Sequence, residues 1–424
     1  MAHQTRKNYS QAIQALQITL RADTDDQIAW LRLGEAYSGG GRHAAAMKAL
    51  AQARKLDPDD WMCSFFIGEV QRQMGQYQEA VDSFQSILVT RPLEIGVMMS
   101  LAQTYLDLGL HELSAGFMAR AEQSFVACLN VTTQAIDASP GFRGVAWKTT
   151  ADAIFHLSGR QVFSDEESVR TVLSGVVPLI SVLSDRLSGI VHLSNLQDNT
   201  SFSSLRVLEI AIAAYDYRIY VTSSESSPSG SSWFDLGSAF HTWAKRSLSV
   251  DDKQKAAKQA ASCFTEALRQ DPSNESYWNA LGTINFEAQP MSAQHAYIKA
   301  LEINSKVSLY YTLHHCMTLT MVKNVATWTN LALLYFHHGD LELSDNAFHR
   351  AQSLDPDYTL TWVGLAIIAA VRGQDQEAKT FFEHAVGLPT GVVRTLHFPH
   401  GTYLSVFLTG RSRARIRFIR VFWA

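Results

Sequence analysis

The chain has 424 residues, of which 46% are hydrophobic and 18% charged, with 10 prolines, 24 glycines and a formal net charge of −4. That composition excludes a chain disordered throughout, a collagen-like or low-complexity chain and a globally basic nucleic-acid binder. Four scattered cysteines with no CxxC pair, a polar stretch up to Asp26 and no apolar run near the ~18 residues of a membrane span lead to the expectation of a soluble intracellular chain of about three domains.

Residues 1–26 read as half of a repeating unit, because Ala12 and Ala46 are 34 apart, as are Leu16 and Leu50. The first helix of that pair is missing, so the expectation is a piece of a longer solenoid. Two full units follow in register, at 27–60 and 61–94. Gly34 and Gly68, Leu50 and Phe84, and Pro58 and Pro92 are each 34 apart. The order Trp30-x2-Leu33-Gly34-x2-Tyr37, then Ala46, Leu50, Ala53 and Pro58, is the pattern of a tetratricopeptide repeat. Each such repeat is an antiparallel helix pair. Its large residues fall on one face at helical spacing, and its small residues sit where the two backbones approach. The proline is expected to open the next helix, where a missing N–H costs nothing. An acidic residue there suits a helix start.

A longer unit spans about 95–140, with Leu101, Ala102 and Tyr105 on its first helix. Pro92 and Pro140 are 48 apart, so the second helix or the loop is expected to be extended by about one helical arm. Trp147 and Ala151 begin another helix. Residues 159–220 remain helical but lose the pattern, and Thr222–Ser232 reads as a serine-rich loop. Register returns at Trp233-x2-Leu236-Gly237-x2-Phe240. Its partner residues Ala260, Phe264 and Ala267 stand about eleven positions too far along the chain, which implies a long inter-helix loop. Repeats resume at Trp278 and run through Trp328 and Trp362, which are 34 apart.

Two segments break the pattern. Deleting 307–323 restores the register between Ala300 and Ala351. Residues 391–424 contain six arginines and neither Asp nor Glu, which leaves a body near −10. The leading reading of both is translated non-coding sequence or a mis-predicted gene model. The alternatives are a surface loop for the first and a basic RNA-contacting segment for the second. The expected division is therefore 1–158, an N-terminal repeat array; 159–232, an irregular helical segment; 233–390, a C-terminal array carrying the insertion; and 391–424, a basic tail. The fold class is all-α, a superhelical solenoid of antiparallel helix pairs.

No catalytic, cofactor or metal site is legible. His337-His338 and His314-His315-Cys316 lack ligand partners at helical i, i+4 spacing, and no phosphate-binding or nucleophile motif is present. The tryptophans at the first large repeat position read as core. A non-catalytic binding protein is expected, with its partner surface on the concave face built by the first helices. Repeat register places Arg32, Glu35, Phe65, Phe66, Glu69, Thr329, Asn330, Val363 and Ile367 there. The carboxylate clamp of co-chaperones is absent, and of the asparagine ladder of sugar-transferase solenoids only Asn330 is present. An apolar, mixed face suits a large protein partner, or successive turns of the same solenoid. A general adaptor that binds peptides, of the co-chaperone or transport kind, is the alternative function.

The segments Tyr277–Gly282 (YWNALG), Ala293–Asn304 (AQHAYIKALEIN), Asn324–Asp340 (NVATWTNLALLYFHHGD), Ala347–Tyr358 (AFHRAQSLDPDY) and Trp362–Ala370 (WVGLAIIAA) carry a more specific likeness. With Trp233–Phe240 (WFDLGSAF), they resemble the tetratricopeptide scaffold subunit of the superkiller complex. The resemblance is specific over about 230–390 and generic over 1–160. It implies a non-catalytic scaffold that holds a DExH-type RNA helicase and a WD-repeat subunit and serves exosome-linked 3′-to-5′ mRNA decay. RNA would be met only indirectly, with no membrane and no cofactor. The expected location is the cytoplasm, with the nucleus as a second compartment.

Overall fold

A computed structural model describes residues 9–139, 143–180, 187, 203–223, 228–311, 321–388, 396–397 and 403–404. Eighteen α-helices make up nearly all of the described residues. The chain divides into two compact units. The first comprises 1–228 with 242–256, and the second 229–241 with 257–424.

The first unit opens with α1 (Tyr9–Ala22), then pairs α2 (Gln27–Gly39) with α3 (His43–Leu56) and α4 (Trp61–Gln73) with α5 (Tyr77–Thr90). Both pairs turn at a glycine with positive φ, Gly41 at 74° and Gly75 at 79°. An L side chain is strained there, so the turn needs glycine. Seven positions before each turn a second glycine lets the helices touch. A Cβ on Gly34 would stand 2.6 Å from the Leu50 side chain, and one on Gly68 2.8 Å from the Phe84 ring.

The proline reading is corrected by the structure. Pro58 does not open a helix but precedes α4 by three positions, in the turn. The Asp57 carboxylate accepts the Asp59 N–H at 3.2 Å, and the pattern recurs from Asp271 to Ser273 and from Asp355 to Asp357. Asp-Pro thus builds an Asx turn, which suits the fixed φ of proline. The true N-cap comes later: Asp26 and Asp60 accept the Ala29 and Met62 N–H groups, each at 2.9 Å. The recurring tryptophan then ties down the turn. The indole N–H groups of Trp30, Trp278 and Trp362 donate to the carbonyls six positions earlier, on Thr24, Pro272 and Pro356.

The long unit holds no additional arm. It is α6 (Ile95–Ser114) and α7 (Met118–Ala138), of 20 and 21 residues against 13 and 14 in the preceding α2 and α3. Both helices grow by about two turns. The turn is kept, with Gly116 at φ 86°, and so is the close contact seven positions before it, where Gly109 faces Phe125. The extra residues therefore lie at the open end of the pair. Lengthening one helix alone would leave its new apolar face unpaired, whereas lengthening both buries each against the other.

The remainder of the first unit is α8 (Arg143–Leu157), α9 (Glu166–Val176) followed by a 3₁₀ turn at Val177–Leu179, and α10 (Ser204–Ser223). The α10 helix is buried on every side from Val207 to Ile219 except Glu209, as an apolar helix in the middle of a core must be. Tyr215 donates to Asp152 of α8 at 2.6 Å, and Lys148 pairs with the same carboxylate at 3.0 Å. His156 lies between Phe125, stacked at 5.9 Å, and Phe155 at 5.7 Å. Burial holds its pKa below the ordinary histidine value, and the nearby Asp152 charge offsets only part of that.

A depressed histidine pKa makes the fold acid-sensitive. Unfolded His156 takes up its proton near pH ~6.5, and the folded chain does so only at lower pH. Stability from this site is full above the unfolded value and is lost as pH falls toward the folded one. Melting followed by circular dichroism at pH 7.5 and 5.5 should show a smaller acid loss in His156→Phe than in the parent. Equal losses would exclude His156 as the group responsible.

Helices α11 (Gly230–Arg246) and α12 (Val250–Gln270) show a second way of lengthening a repeat. The long loop expected between Phe240 and Ala260 is absent; only Ser247–Ser249 separate the helices. Lys253–Ala261 (KQKAAKQAA) consists of strong helix formers, so these residues extend the helix instead. The serine-rich stretch is also shorter than expected, since α10 runs to Ser223 and α11 begins at Gly230.

The second unit continues with α13 (Glu275–Asn285) and α14 (Pro290–Tyr311), α15 (Met321–His337) and α16 (Leu341–Leu354), and α17 (Thr359–Val371) and α18 (Asp375–Gly387). Gly339 and Gly373 repeat the glycine turn at φ 80° and 78°. The core runs along the pairs through Phe264, Tyr297, Phe348 and Phe382. Of the 307–323 segment, residues 312–320 lie outside the described residues. So does the tail apart from a two-rung antiparallel ladder, Leu396–His397 with Tyr403–Leu404.

Candidate functional site

First helices of successive repeats carry the expected partner face, and the structure sorts its residues. In the first unit Arg32 on α2 pairs with Glu35 at 2.8 Å, both partly exposed. On α4, Phe65 meets Phe66 at 5.5 Å and Phe84 at 5.8 Å. Both phenylalanines are half-buried, Phe65 against the α5–α6 cluster and Phe66 against the α3–α4 cluster. Glu69 is not a free carboxylate. It pairs at 3.0 Å with Arg72, whose other nitrogen reaches Asp107 of α6 at 2.8 Å. Partial burial opposes the charge on Arg72, but Glu69 and Asp107 outweigh it and raise its pKa above the usual value. Gln103 adds a bond to Asp107 at 2.9 Å. This ladder couples neighbouring repeats. It has no signal in the repeat period, because Arg72 and Asp107 are 35 positions apart, one off the register.

In the second unit the outcome is mixed. Thr329 and Val363 are buried, at 1% and 3% exposure, and offer a partner nothing. Thr329 donates to the Val325 carbonyl at 2.8 Å and lies 3.3 Å from the Thr361 hydroxyl of α17. Val363 packs with Ala366, Phe382 and Ala385. These two positions face neighbouring helices rather than the groove. Gly364, next to Val363, packs on the Phe348 ring. Asn330 and Ile367 stay partly exposed. Asn330 donates to Asn279 of α13 at 3.1 Å, a partner that repeat register does not single out. A polar pair and aromatic edges thus line the first-helix face in the first unit, and an asparagine pair with Ile367 does so in the second. Such a surface can bind protein by contact but has no group poised for chemistry.

Among the described residues no cluster of three or more His, Cys, Asp or Glu could hold a metal ion. His337 and His338 stand edge to face at 5.1 Å at the end of α15. The His314-His315-Cys316 group lies outside the described residues. No described helix is long and apolar enough to cross a membrane. Cys63, Cys128 and Cys263 are buried thiols in no disulfide; burial pushes the Cys63 thiol up to about 11, so it is not a nucleophile near neutral pH.

Comparison with known proteins agrees with this picture. The tetratricopeptide repeat family models match residues 1–60 and 325–358. Tetratricopeptide repeat protein 37 of Xenopus laevis is 27% identical over 92% of this chain and 23% of its own length. Superkiller protein 3 of Schizosaccharomyces pombe is 29% identical over 68% of this chain and 21% of its own. Superkiller complex protein 3 of Homo sapiens is 26% identical over 90% and 22%. The chain thus spans less than a quarter of the length of these relatives. A thermophilic tetratricopeptide-repeat protein of Thermus thermophilus superposes on 61% of this chain and 98% of its own, with a TM-score of 0.39 at 14% identity. The family models that match describe tetratricopeptide repeats. Glycine turns, Asx turns, helix pairs and the repeat matches together show the fold of a tetratricopeptide-repeat helical solenoid, and over most of its length the chain is similar to superkiller complex protein 3.

Proposed function

We propose that the chain is a scaffold segment of a superkiller-type assembly, which holds a DExH-type RNA helicase and a WD-repeat subunit and serves exosome-linked 3′-to-5′ mRNA decay in the cytoplasm, with the nucleus as a second compartment. The observation that carries the reading is its 26% to 29% identity, over 68% to 92% of its length, with proteins named for tetratricopeptide repeats or the superkiller complex. The first-helix faces support it. They offer half-buried aromatics and polar pairs suited to a protein partner, and contact with RNA would come only through the bound helicase.

Affinity capture of residues 1–424 from the source cells after mild crosslinking should recover a helicase and a WD-repeat protein. Recovery of chaperones alone would overturn the reading in favour of a peptide adaptor. Arg32→Glu combined with Glu35→Arg, at partly exposed positions, should leave the melting temperature unchanged. If α2 contributes to the interface, this pair should lower partner recovery about fivefold or more. Unchanged recovery would remove α2 from the interface.

A further inference from the structure

The second unit carries a groove of about 590 Å³ between α14 and α16, the second helices of successive pairs, with α15 as its floor. That volume is typical of a site that takes a ligand or an anchoring side chain. Leu301, Trp328 and Leu331 line it, with Ile298 and Leu343 as walls that remain 38% and 46% exposed. None of the first-helix positions weighed as partner contacts lines it.

Most charged and hydroxyl groups in and around the groove are committed. Glu302 on the rim is paired with Lys299 at 2.7 Å. Asp345, beside it on α16, is engaged by Arg372 at 2.7 Å and His349 at 3.5 Å. The Tyr335 hydroxyl receives Gln294 at 3.3 Å. Arg350 lines the groove, is exposed, and has no carboxylate partner among the described residues. Trp328 differs from three of the other repeat tryptophans. In Trp30, Trp278 and Trp362 the indole N–H is bound to a turn carbonyl six positions earlier. Six positions before Trp328 lies Val322, inside α15, where the carbonyl belongs to the helix. No acceptor meets the Trp328 N–H among the described residues. Among the described residues the groove therefore presents an apolar floor with the Trp328 N–H, the Asn346 amide and the Arg350 guanidinium uncommitted, the last of them cationic.

We propose that this groove is a docking site for an acidic peptide segment of a protein partner, with one apolar side chain seated on Leu301, Trp328 and Leu331 and a neighbouring carboxylate on Arg350. Charge complementarity selects the occupant: the uncompensated charge on the rim is positive, and guanidinium matches carboxylate geometry. A peptide oxygen accepts the Trp328 N–H. The proposal is independent of the identity of the complex in which the chain works.

A random dodecapeptide library displayed on phage and selected on residues 1–424 tests this. Enriched peptides should carry Asp or Glu within a few positions of Leu, Phe or Trp. Fluorescence anisotropy with the best synthetic peptide should show at least tenfold weaker binding to Arg350→Glu and to Leu343→Asp. Trp328→Phe, which keeps an aromatic ring and removes the N–H, should weaken it several-fold. The same peptide with Lys in place of its acidic residues should prefer Arg350→Glu over the parent, a reversal that a merely misfolded variant cannot produce. Enrichment of basic or neutral peptides, binding indifferent to all three variants, or no enrichment would each overturn the proposal. Self-association in sedimentation velocity that Leu343→Asp abolishes would assign the groove to a second copy of the chain, and would overturn it too.

Discussion

Phe125→Ala is expected to destabilise the first unit by about 3–5 kcal/mol, the usual cost of removing a fully buried aromatic ring. Phe125 has no exposed surface. Its ring fills the space that Gly109 leaves on α6, where a Cβ would come within 2.6 Å, and it also stacks on His156. It therefore links three helices, α6, α7 and α8. Gly109→Val alone should cost about 1–3 kcal/mol, because the added carbons press on a ring that cannot retreat. The double variant is the informative one. Valine at 109 occupies part of the cavity that Phe125→Ala opens, so the two losses should fall short of additive by more than about 0.5 kcal/mol. Urea unfolding of all four proteins, followed by circular dichroism, reads this directly. Strict additivity would mean that the glycine and the ring are not a packing pair.

Glu122→Ala should cost a comparable amount, about 3–5 kcal/mol, through a different mechanism. Glu122 is 2% exposed on α7 and pairs with Arg160, itself 11% exposed, at 3.2 Å. Its oxygens also accept the backbone N–H groups of Ser164 and Asp165, at 3.0 and 2.7 Å. Arg160 in turn donates to the Met118 carbonyl. One carboxylate thus anchors the connection between α8 and α9. Removing it strands a nearly buried guanidinium and frees two backbone amides of the α8–α9 connection, and the unmet guanidinium carries the larger penalty. Glu122→Ala combined with Arg160→Met should recover much of the loss, since the stranded charge is removed as well. Limited proteolysis should cut the single variant within 158–166 well before the parent. A single variant that loses less than about 1 kcal/mol and resists cleavage would show that the network adds little to stability.

These two sites mark how far the sequence can be read. Repeat register locates Gly34, Gly68, Leu50 and Phe84, because a contact between paired helices recurs at a fixed separation. Phe125 follows Gly109 at the same interval as Leu50 follows Gly34 and Phe84 follows Gly68. The longer unit nevertheless moves it off the global period, so a search at one spacing passes over it. Glu122 and Arg160 have no periodic signal at all. Their meeting depends on the path of an irregular connection, which no spacing rule encodes. The partner face is legible only as a set of register positions. Thr329 and Val363 satisfy the register, but Thr361 and Phe382 cover the side of the helix on which they stand.

By itself, the sequence determined the architecture: glycine, tryptophan, alanine and proline recurring at one fixed period admit one arrangement of antiparallel helix pairs, since each residue type answers a local demand of turn or close contact. Local chemistry repeats, so it can be read from a period. Only the tertiary structure decided how the long units place their extra residues, which candidate positions remain exposed, and that Arg350 and Trp328 find no acceptor among the described residues. Those outcomes depend on which neighbour each side chain finds across a helix boundary, and burial and charge pairing are settled by that neighbour rather than by the residue.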